Sequence, residues 1–256
     1  MTLEPESVLR VMLVFVRVGG LLVAAPFFGR SFLPVPVKVL LAALLAVILS
    51  GFSRTPLPPH VDHAFGFALA ALVEAGTGLL LGFAAQFVFY AVQTAGEALG
   101  YQMSLGMAQA YDPASEATSN PLGQVLGLAF LLLFVLLEGP HHLLRALAAS
   151  FEVVPVGGAR LSAGGPLLIQ WTGAFFATAL RLAAPFMVTL FLLDVALGIF
   201  ARVVPQADLF SLSLPAKLLL GLGAFFVFIQ GFTTLAPSLI EEMIGGLSSL
   251  LVALGS

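Results

Sequence analysis

The sequence predicts an all-helical integral membrane protein of about six apolar segments. Of its 256 residues, 60% are apolar and only 9% are charged, whereas a soluble domain is about 25% charged. Four long stretches carry no charge at all, namely 75–96, 117–137, 161–180 and 218–240. Each reaches the roughly 20 apolar residues that cross a bilayer as a helix. They lack the alternation of barrel strands, so helices are the expected spanning elements.

The composition also excludes several classes of function. The chain has no cysteine, which removes disulfides, thiolate nucleophiles and cysteine-based metal sites. Its net charge is −3 without any basic run, so no nucleic-acid partner is expected. Glu138, His141 and His142 lack the i, i+4 spacing that two metal ligands on a helix prefer. With no Ser/His/Asp set or phosphate loop either, we expect no catalytic residue, metal or cofactor, and no enzyme activity.

Turn and capping residues divide the chain into its segments. Asn120 and Pro121 have the residue types of a helix N-cap and first helical position, and Pro185 predicts a kink inside the fifth segment. Residues 154–166 and 205–215 are predicted to be a loop and a linker. The expected segments are about 8–28, 37–52, 64–110, 121–139, 167–204 and 216–235, and Pro237 precedes a last helix at 238–254.

The third segment is too long for an ordinary membrane span. From 64 to 110 it has 47 residues, or about 70 Å of helix, whereas the hydrocarbon core is about 30 Å thick. The helix is therefore expected to bend, to tilt strongly, or to leave the bilayer inside an assembly. Long, kinked helical hairpins built for a hetero-oligomer are the architecture that this length favours.

One face of the third segment carries small and polar residues. At 100° per residue they form a stripe about 120° wide, made of Gly78, Gly82, Gln86, Tyr90, Gln93, Glu97, Gly100 and Ser104. One interpretation is a packing seam inside the bundle. The other is a face toward a partner subunit or an aqueous pore, since an ionisable group in a membrane needs a partner or water. In that case the interface or lumen residues are Gln86, Gln93, Glu97, Gly100 and Ser104.

The predicted spans contain a few further charges, which are Arg17, Arg181, Asp194 and Arg202. Asp194 and Arg202 share a helix face with Gly198, so an ion pair between them is expected. Charge pairing within a bundle is the first interpretation. A proton or ion relay is the second, but no series of aligned acids is present. The glycine pairs 78/82, 96/100 and 123/127 predict close helix packing.

Four stretches of the chain together resemble the FliR family of the flagellar type III export gate. They are residues 25–29 with 36–38, 94–103 with 112–113, 141–142 with 155–158, and 202–206 with 210, 215 and 217. The most specific are Ala95-Gly96-Glu97 with Gln102-Met103, and Arg202 with Pro205-Gln206. The resemblance covers almost the whole chain in the right order.

The resemblance implies a core membrane component of the flagellar type III protein export gate, whose channel passes unfolded flagellar subunits. It implies a hetero-oligomer with FliP-like and FliQ-like subunits, together with FlhB and FlhA, in the bacterial inner membrane at the flagellar basal body. It also implies one membrane domain, 1–256, with a FliP-like part at about 1–160 and a FliQ-like part at about 161–256.

The segment that follows the polar stripe is expected to close the export channel. Its candidate residues are Met103, Gly106, Met107, Tyr111, Asp112 and Pro113. Flexible methionine side chains can refill an irregular gap, and a narrow apolar constriction stops ions. An ordinary loop ending at Asp112 is the equal alternative from the residues alone. The resemblance favours the closure, because family members place a loop here across the lumen.

Other functions stay open at this point. The injectisome counterpart of the family is similar in sequence. A small-solute or ion transporter is a further alternative, although the inverted repeats and paired broken segments of many transporters are missing. An intramembrane enzyme is disfavoured, because no acid, base or metal set converges.

Overall fold

The computed structural model describes residues 5–29, 33–51, 57–105, 120–204 and 209–255. This part of the chain is helical and contains no strand, which confirms the predicted all-helical class. Short 3-10 helices at Pro59–Asp62 and Leu161–Ala163 precede two of the long helices. The α-helices are α1 (Pro5–Ala24), α2 (Val35–Ser50), α3 (Ala64–Gln102), α4 (Pro121–Leu136), α5 (Gly139–Val153), α6 (Gly164–Val203) and α7 (Leu209–Gly255).

The helices confirm a membrane protein but correct the number of spans. Within the described ranges, α1, α3, α6 and α7 are long and apolar enough to cross a membrane, and α4 with α5 forms one further candidate that is bent by 68°. Helix α2 is apolar but has only 16 residues. The count is therefore four or five rather than about six, because the expected segment 37–52 forms only the short α2 and the expected segment 121–139 is part of a bent pair of helices. The expected segments 216–235 and 238–254 also belong to one helix, α7.

Prolines account for the wrong boundaries. Pro215 and Pro237 both lie inside α7, where a proline removes one hydrogen bond and bends a helix without having to end it. Gly139-Pro140 is predicted to end a segment, but it opens α5. A missing N–H costs little in the first turn of a helix. The bend between α4 and α5 falls at Glu138, whose φ is 57°.

Helix α3 is overlong, as predicted, although it ends earlier than expected. It has 39 residues, or about 58 Å of helix, instead of the 47 between 64 and 110. Its end is closed by hydrogen bonds from Leu105 N–H to the Gly100 carbonyl at 2.9 Å and from Ser104 N–H to the Tyr101 carbonyl at 3.0 Å. Ser104 takes the left-handed φ of 62° that such a cap requires.

Backbone packing divides the chain into two compact units. The first comprises Met1–Val88, Phe134–Gly173 and Leu239–Ser256, and the second comprises Phe89–Leu133 and Ala174–Ser238. In the first unit, α1 and α3 approach closely at glycines. A Cβ at Gly78 would collide with the Arg17 carbonyl, and one at Gly20 would lie 2.8 Å from the Ala75 carbonyl oxygen. The close packing predicted for Gly78 is thus confirmed.

The second unit has its own apolar core where α3, α4, α6 and α7 meet. The rings of Phe186 and Phe228 pack edge to face with centroids 4.8 Å apart. Gly96 and Gly123 let α3 and α4 touch, since a Cβ at Gly96 would lie 2.8 Å from the Gly123 Cα. The buried members of this core are Leu99, Met103, Leu122, Phe186 and Leu190.

Candidate functional site

A fully buried ion pair lies within the first unit. Arg17 on α1 and Glu74 on α3 both have side chains that are 0% exposed. Arg17 donates from Nε to Glu74 Oε2 at 2.5 Å and from Nη2 to Glu74 Oε1 at 2.9 Å. This two-point geometry is the strong form of an arginine–carboxylate contact. It offsets the cost of removing both charges from water.

The other donors of Arg17 reach the end of α5. Nη1 donates to the carbonyl of Ser150 at 3.0 Å and to its hydroxyl at 3.1 Å. Both terminal nitrogens also lie 3.3 Å from the Val154 carbonyl oxygen. The Phe151 ring lies 4.3 Å from Arg17 Cζ, close enough for a cation–π contact. One guanidinium thus joins α1, α3 and α5.

The loop after α5 is attached to the same ion pair. Gly157 has a φ of 74°, which favours glycine, and its N–H donates to Glu74 Oε1 at 2.7 Å. Three residues later, the Arg160 N–H donates to the Leu254 carbonyl at 3.1 Å, near the end of α7. The loop 154–160 therefore connects the buried pair to the last turn of the chain's longest described helix.

Of the two residues in this pair, the sequence analysis singled out Arg17 and missed Glu74. Helix α3 contains only two acidic residues, Glu74 and Glu97. An arginine inside an apolar helix needs an acidic partner, so a search for acids within apolar segments would have selected Glu74. Glu74 was overlooked because it lies immediately before the uncharged stretch 75–96.

The structure separates the polar stripe of α3 into two kinds of residue. Its glycines face other helices, since Gly82 packs on Ala24 of α1 and Gly100 packs on Asn120. The longer polar side chains, Gln86, Gln93 and Glu97, are half-buried, as is Ser104. Gln93 Nε2 donates to Glu97 Oε1 at 3.0 Å one turn away. The glycines therefore pack within the chain, while the longer polar groups stay partly accessible.

Glu97 and Asn120 are fixed by the start of α4. A Cβ at Gly123 would lie 2.6 Å from Glu97 Cγ, so the stem of Glu97 rests directly on α4. Asn120 is 4% exposed, and its Oδ1 accepts from the Leu122 N–H at 3.1 Å. The predicted N-cap is confirmed. Its side chain occupies the space where a Cβ of Gly100 would stand.

The remaining charges of the predicted spans are less buried. Asp194 on α6 forms an ion pair with Lys217 on α7 at 2.7 Å. The expected pair with Arg202 is wrong. Helices α6 and α7 pack against each other in the second unit, and this packing places Lys217 next to Asp194. Arg181 and Arg202 are exposed on the chain's own surface. Among the residues that the structure describes, no three His, Asp or Glu side chains could together hold a metal ion.

Only one residue of the predicted closure is described. Met103 is 1% exposed, and a Cβ at Gly221 would lie 2.5 Å from its Sδ. Met103 thus belongs to the core of the second unit. The closure itself stays a prediction, because its other residues lie outside the described ranges, namely Gly106, Met107, Tyr111, Asp112 and Pro113.

Comparison with known proteins extends over nearly the whole chain. A family model described as "Bacterial export proteins, family 1" matches residues 8–243. The flagellar biosynthetic protein FliR of Bacillus subtilis (strain 168) is 36% identical over 212 residues, covering 81% of each chain. FliR of Escherichia coli (strain K12) is 31% identical over 239 residues, covering 92% of this chain and 90% of that protein. FliR of Caulobacter vibrioides is 25% identical over 233 residues, covering 91% of this chain and 93% of that protein.

Proposed function

We propose a structural role from one premise: this chain belongs to family 1 of the bacterial export proteins and to the FliR flagellar biosynthetic proteins. It is a membrane component of the flagellar export apparatus. We place it in the bacterial inner membrane at the flagellar basal body, as a non-enzymatic subunit of the gate that passes unfolded flagellar subunits. The injectisome and transporter alternatives are not favoured, because the relatives are flagellar proteins.

The exposed apolar surface of α7 supports a role inside a larger assembly. Its 47 residues give about 70 Å of helix, more than twice the roughly 30 Å of a hydrocarbon core. Only 6% of its most apolar stretch is buried within the chain. The exposed apolar side chains are concentrated before Pro237, whereas the later part of α7 is already packed within the first unit at residues such as Leu239, Met243 and Leu247. The first part of the helix is therefore left for lipid and partner subunits to cover. Examples of its exposed side chains are Leu219, Leu220, Phe226, Val227 and Val252.

The proposed occupants of that surface are FliP-like and FliQ-like subunits, with FlhB and FlhA joining the same assembly. The resemblance of residues 1–160 to the first subunit and of 161–256 to the second belongs to this proposal. The half-buried Gln86, Gln93 and Glu97 are proposed to face either a partner or the channel, where water or protein can solvate them. Glu97→Lys is then expected to impair assembly, whereas Glu97→Gln keeps the hydrogen bonding and is expected to assemble.

A deletion and recovery experiment tests this function. Removing the gene from its own organism is expected to abolish secretion of flagellar subunits, and the intact gene is expected to restore it. A tagged chain solubilised in mild detergent is expected to recover FliP-like and FliQ-like subunits. Normal secretion in the deletion strain, or a tagged chain that always purifies alone, would overturn the proposal.

A pair of matched variants tests the role of the α7 surface. Phe226 is 66% exposed, and Gln230 is an exposed polar residue one turn later. Phe226→Asp is expected to reduce recovery of the partner subunits, because it places a charge on an apolar contact face. Gln230→Asp, which changes an already polar position, serves as the control. Recovery of the partner subunits at the native level with Phe226→Asp would mean that this face of α7 does not contact the partners.

A further inference from the structure

Helix α5 has a clearly polar face, which α4 before it lacks. At about 100° per residue, His141, Arg145 and Glu152 lie within about 40° of one another around the helix, and the structure leaves all three exposed. The opposite face is apolar, and its Leu143 and Leu147 have no solvent exposure. A helix with one polar and one apolar face is typical of the boundary between a protein core and water.

The apolar face of α5 is already covered within the first unit. Arg17 of α1 donates to the Ser150 carbonyl at 3.0 Å, and its Cζ lies 4.3 Å from the centre of the Phe151 ring. Phe151 itself is 2% exposed. A cation at the carbonyl end of a helix also suits the helix dipole. Because the chain covers this face itself, it is chiefly the polar face of α5 that meets the surroundings.

A crossing of the membrane would place this polar face in hydrocarbon. Helix α5 has 15 residues, or about 22 Å of helix, which is shorter than a hydrocarbon core of about 30 Å. Arg145 lies near the middle of the helix, where a charge in hydrocarbon is most costly. His141 lies one turn before it and Glu152 two turns after it on the same face. Water solvates all three groups without any partner.

The bend before α5 coincides with a change in the character of the sequence. Helix α4 contains no charged residue, whereas α5, after a bend of 68°, contains Arg145, Glu152 and two histidines. Glu138 at the bend has the left-handed φ of 57°. We propose that α5 does not cross the membrane and that its face of His141, Arg145 and Glu152 is open to water on one side of it. Such a face fits the polar surface of a water-soluble domain and not a membrane helix.

Cysteine labelling of the assembled complex in membranes tests the proposal. The chain has no cysteine, so His141→Cys, Arg145→Cys and Glu152→Cys each give it a single thiol. Sealed membrane vesicles of known sidedness are treated with a sulfonated maleimide, which does not cross the bilayer. All three thiols are expected to be labelled from the same side. Labelling of positions 141 and 152 from opposite sides would mean that α5 crosses the membrane, and would overturn the proposal.

A thiol on the neighbouring apolar helix provides the matched control. Leu132 on α4 is 66% exposed on the chain's own surface, but its helix carries no charge, so lipid or partner subunits are expected to shield it. Arg145→Cys is expected to react several-fold faster than Leu132→Cys. A rate for Arg145→Cys no faster than that of the control would overturn the proposal, because the polar face would then be covered by protein or lipid.

A further position keeps every charge of the polar face in place. Ala148 is half-buried and lies between Arg145 and Glu152 on the same side of α5. If the variants at 141, 145 and 152 do not assemble, Ala148→Cys decides by the same comparison with Leu132→Cys. Secretion is measured separately. A complex that secretes normally while α5 is shielded or crosses the membrane would overturn this inference and leave the proposed function intact.

Discussion

Arg17 and Glu74 form a two-point ion pair in which neither side chain has any solvent exposure. The pair joins α1 to α3, and through Ser150 and Gly157 it also holds α5 and the following loop. While the pair is complete, the stabilisation from its charge attraction and hydrogen bonds roughly equals the cost of removing both charges from water. Its effect on stability appears when one partner is removed.

Removal of a single partner of this pair is expected to be costly. Glu74→Ala leaves a buried, uncompensated arginine, and we expect a loss of about 3 to 5 kcal/mol in the free energy of unfolding. Arg17→Ala is expected to cost a similar amount. The double variant is expected to lose less than the sum of the two, because no charge then stays unpaired.

Fluorescence of the single tryptophan provides the measurement. Trp171 belongs to the first unit, and its ring centroid lies 6.0 Å from that of Phe87. Thermal unfolding in detergent is followed by its emission. Glu152→Ala on the exposed side of α5 is the control and is expected to change little. Additive losses for Glu74→Ala and Arg17→Ala would show that the two side chains are not coupled.

Two consecutive glycines of α1 are expected to respond differently to the same substitution. Gly20→Ala places a Cβ 2.8 Å from the Ala75 carbonyl oxygen, whereas a Cβ at Gly19 meets no atom within 4 Å. We expect Gly20→Ala to cost about 1 to 3 kcal/mol by forcing α1 away from α3. Gly19→Ala is expected to be neutral or slightly stabilising, because alanine has the higher helix propensity. Equal melting temperatures would contradict the close crossing.

The cap of α4 and Gly100 of α3 are expected to be coupled. Asn120→Ala removes the capping hydrogen bond and is expected to cost about 1 kcal/mol. Gly100→Ala is expected to cost more, since its Cβ would displace the Asn120 side chain. In the double variant the smaller side chain at position 120 makes room for the new methyl group, so the two losses should not add. Gly223→Ala, which meets no atom within 4 Å, is the control in circular-dichroism melts.

The ion pair between α6 and α7 is expected to tolerate exchange of its charges. Asp194→Lys or Lys217→Asp alone places like charges at a distance that is now 2.7 Å, and each is expected to lower recovery of folded protein. The combined exchange restores an attractive pair and should recover most of the loss. Its benefit is expected to be modest, because the Asp194 side chain is 50% exposed. A double variant that is recovered no better than the single ones would argue against the pair.

The sequence predicted the long helices well because apolar length and capping residues are local signals. The cap at Asn120 and the start of α3 at Ala64 follow from residues within a few positions. The errors arose where the same local signal has two outcomes. Pro140 lies in the first turn of a helix, whereas Pro237 lies inside one. Only tertiary packing decides whether a proline ends, starts or bends a helix.

The polar contacts were predicted less well because they join distant parts of the chain. Arg17 and Glu74 are separated by 57 positions, and Asp194 pairs with Lys217 on another helix instead of a residue on its own face. Helical periodicity gives the direction of a side chain but not the helix that it meets. The Gly78 contact shows the same limit of sequence analysis. Its glycine spacing predicted close packing but did not identify α1 as the helix that packs there.

Met103 and Gly221 are expected to compensate for each other in size. Met103→Ala removes a core side chain that is 1% exposed, and we expect a loss of about 2 to 5 kcal/mol from the cavity left behind. Gly221→Ala adds a methyl group 2.5 Å from the Met103 sulfur. Because a methionine side chain is flexible, this substitution is expected to cost only about 1 to 2 kcal/mol.

In the double variant the methyl group added at position 221 enters the space that Met103 vacates. Its loss of stability is therefore expected to be smaller than that of Met103→Ala alone. Circular-dichroism melts of the four proteins give the coupling, with Gly223→Ala as the control for adding a methyl group to α7. Fully additive losses would mean that Met103 lies away from Gly221. In that case its side chain would be available to the predicted channel closure and not committed to the core of the second unit.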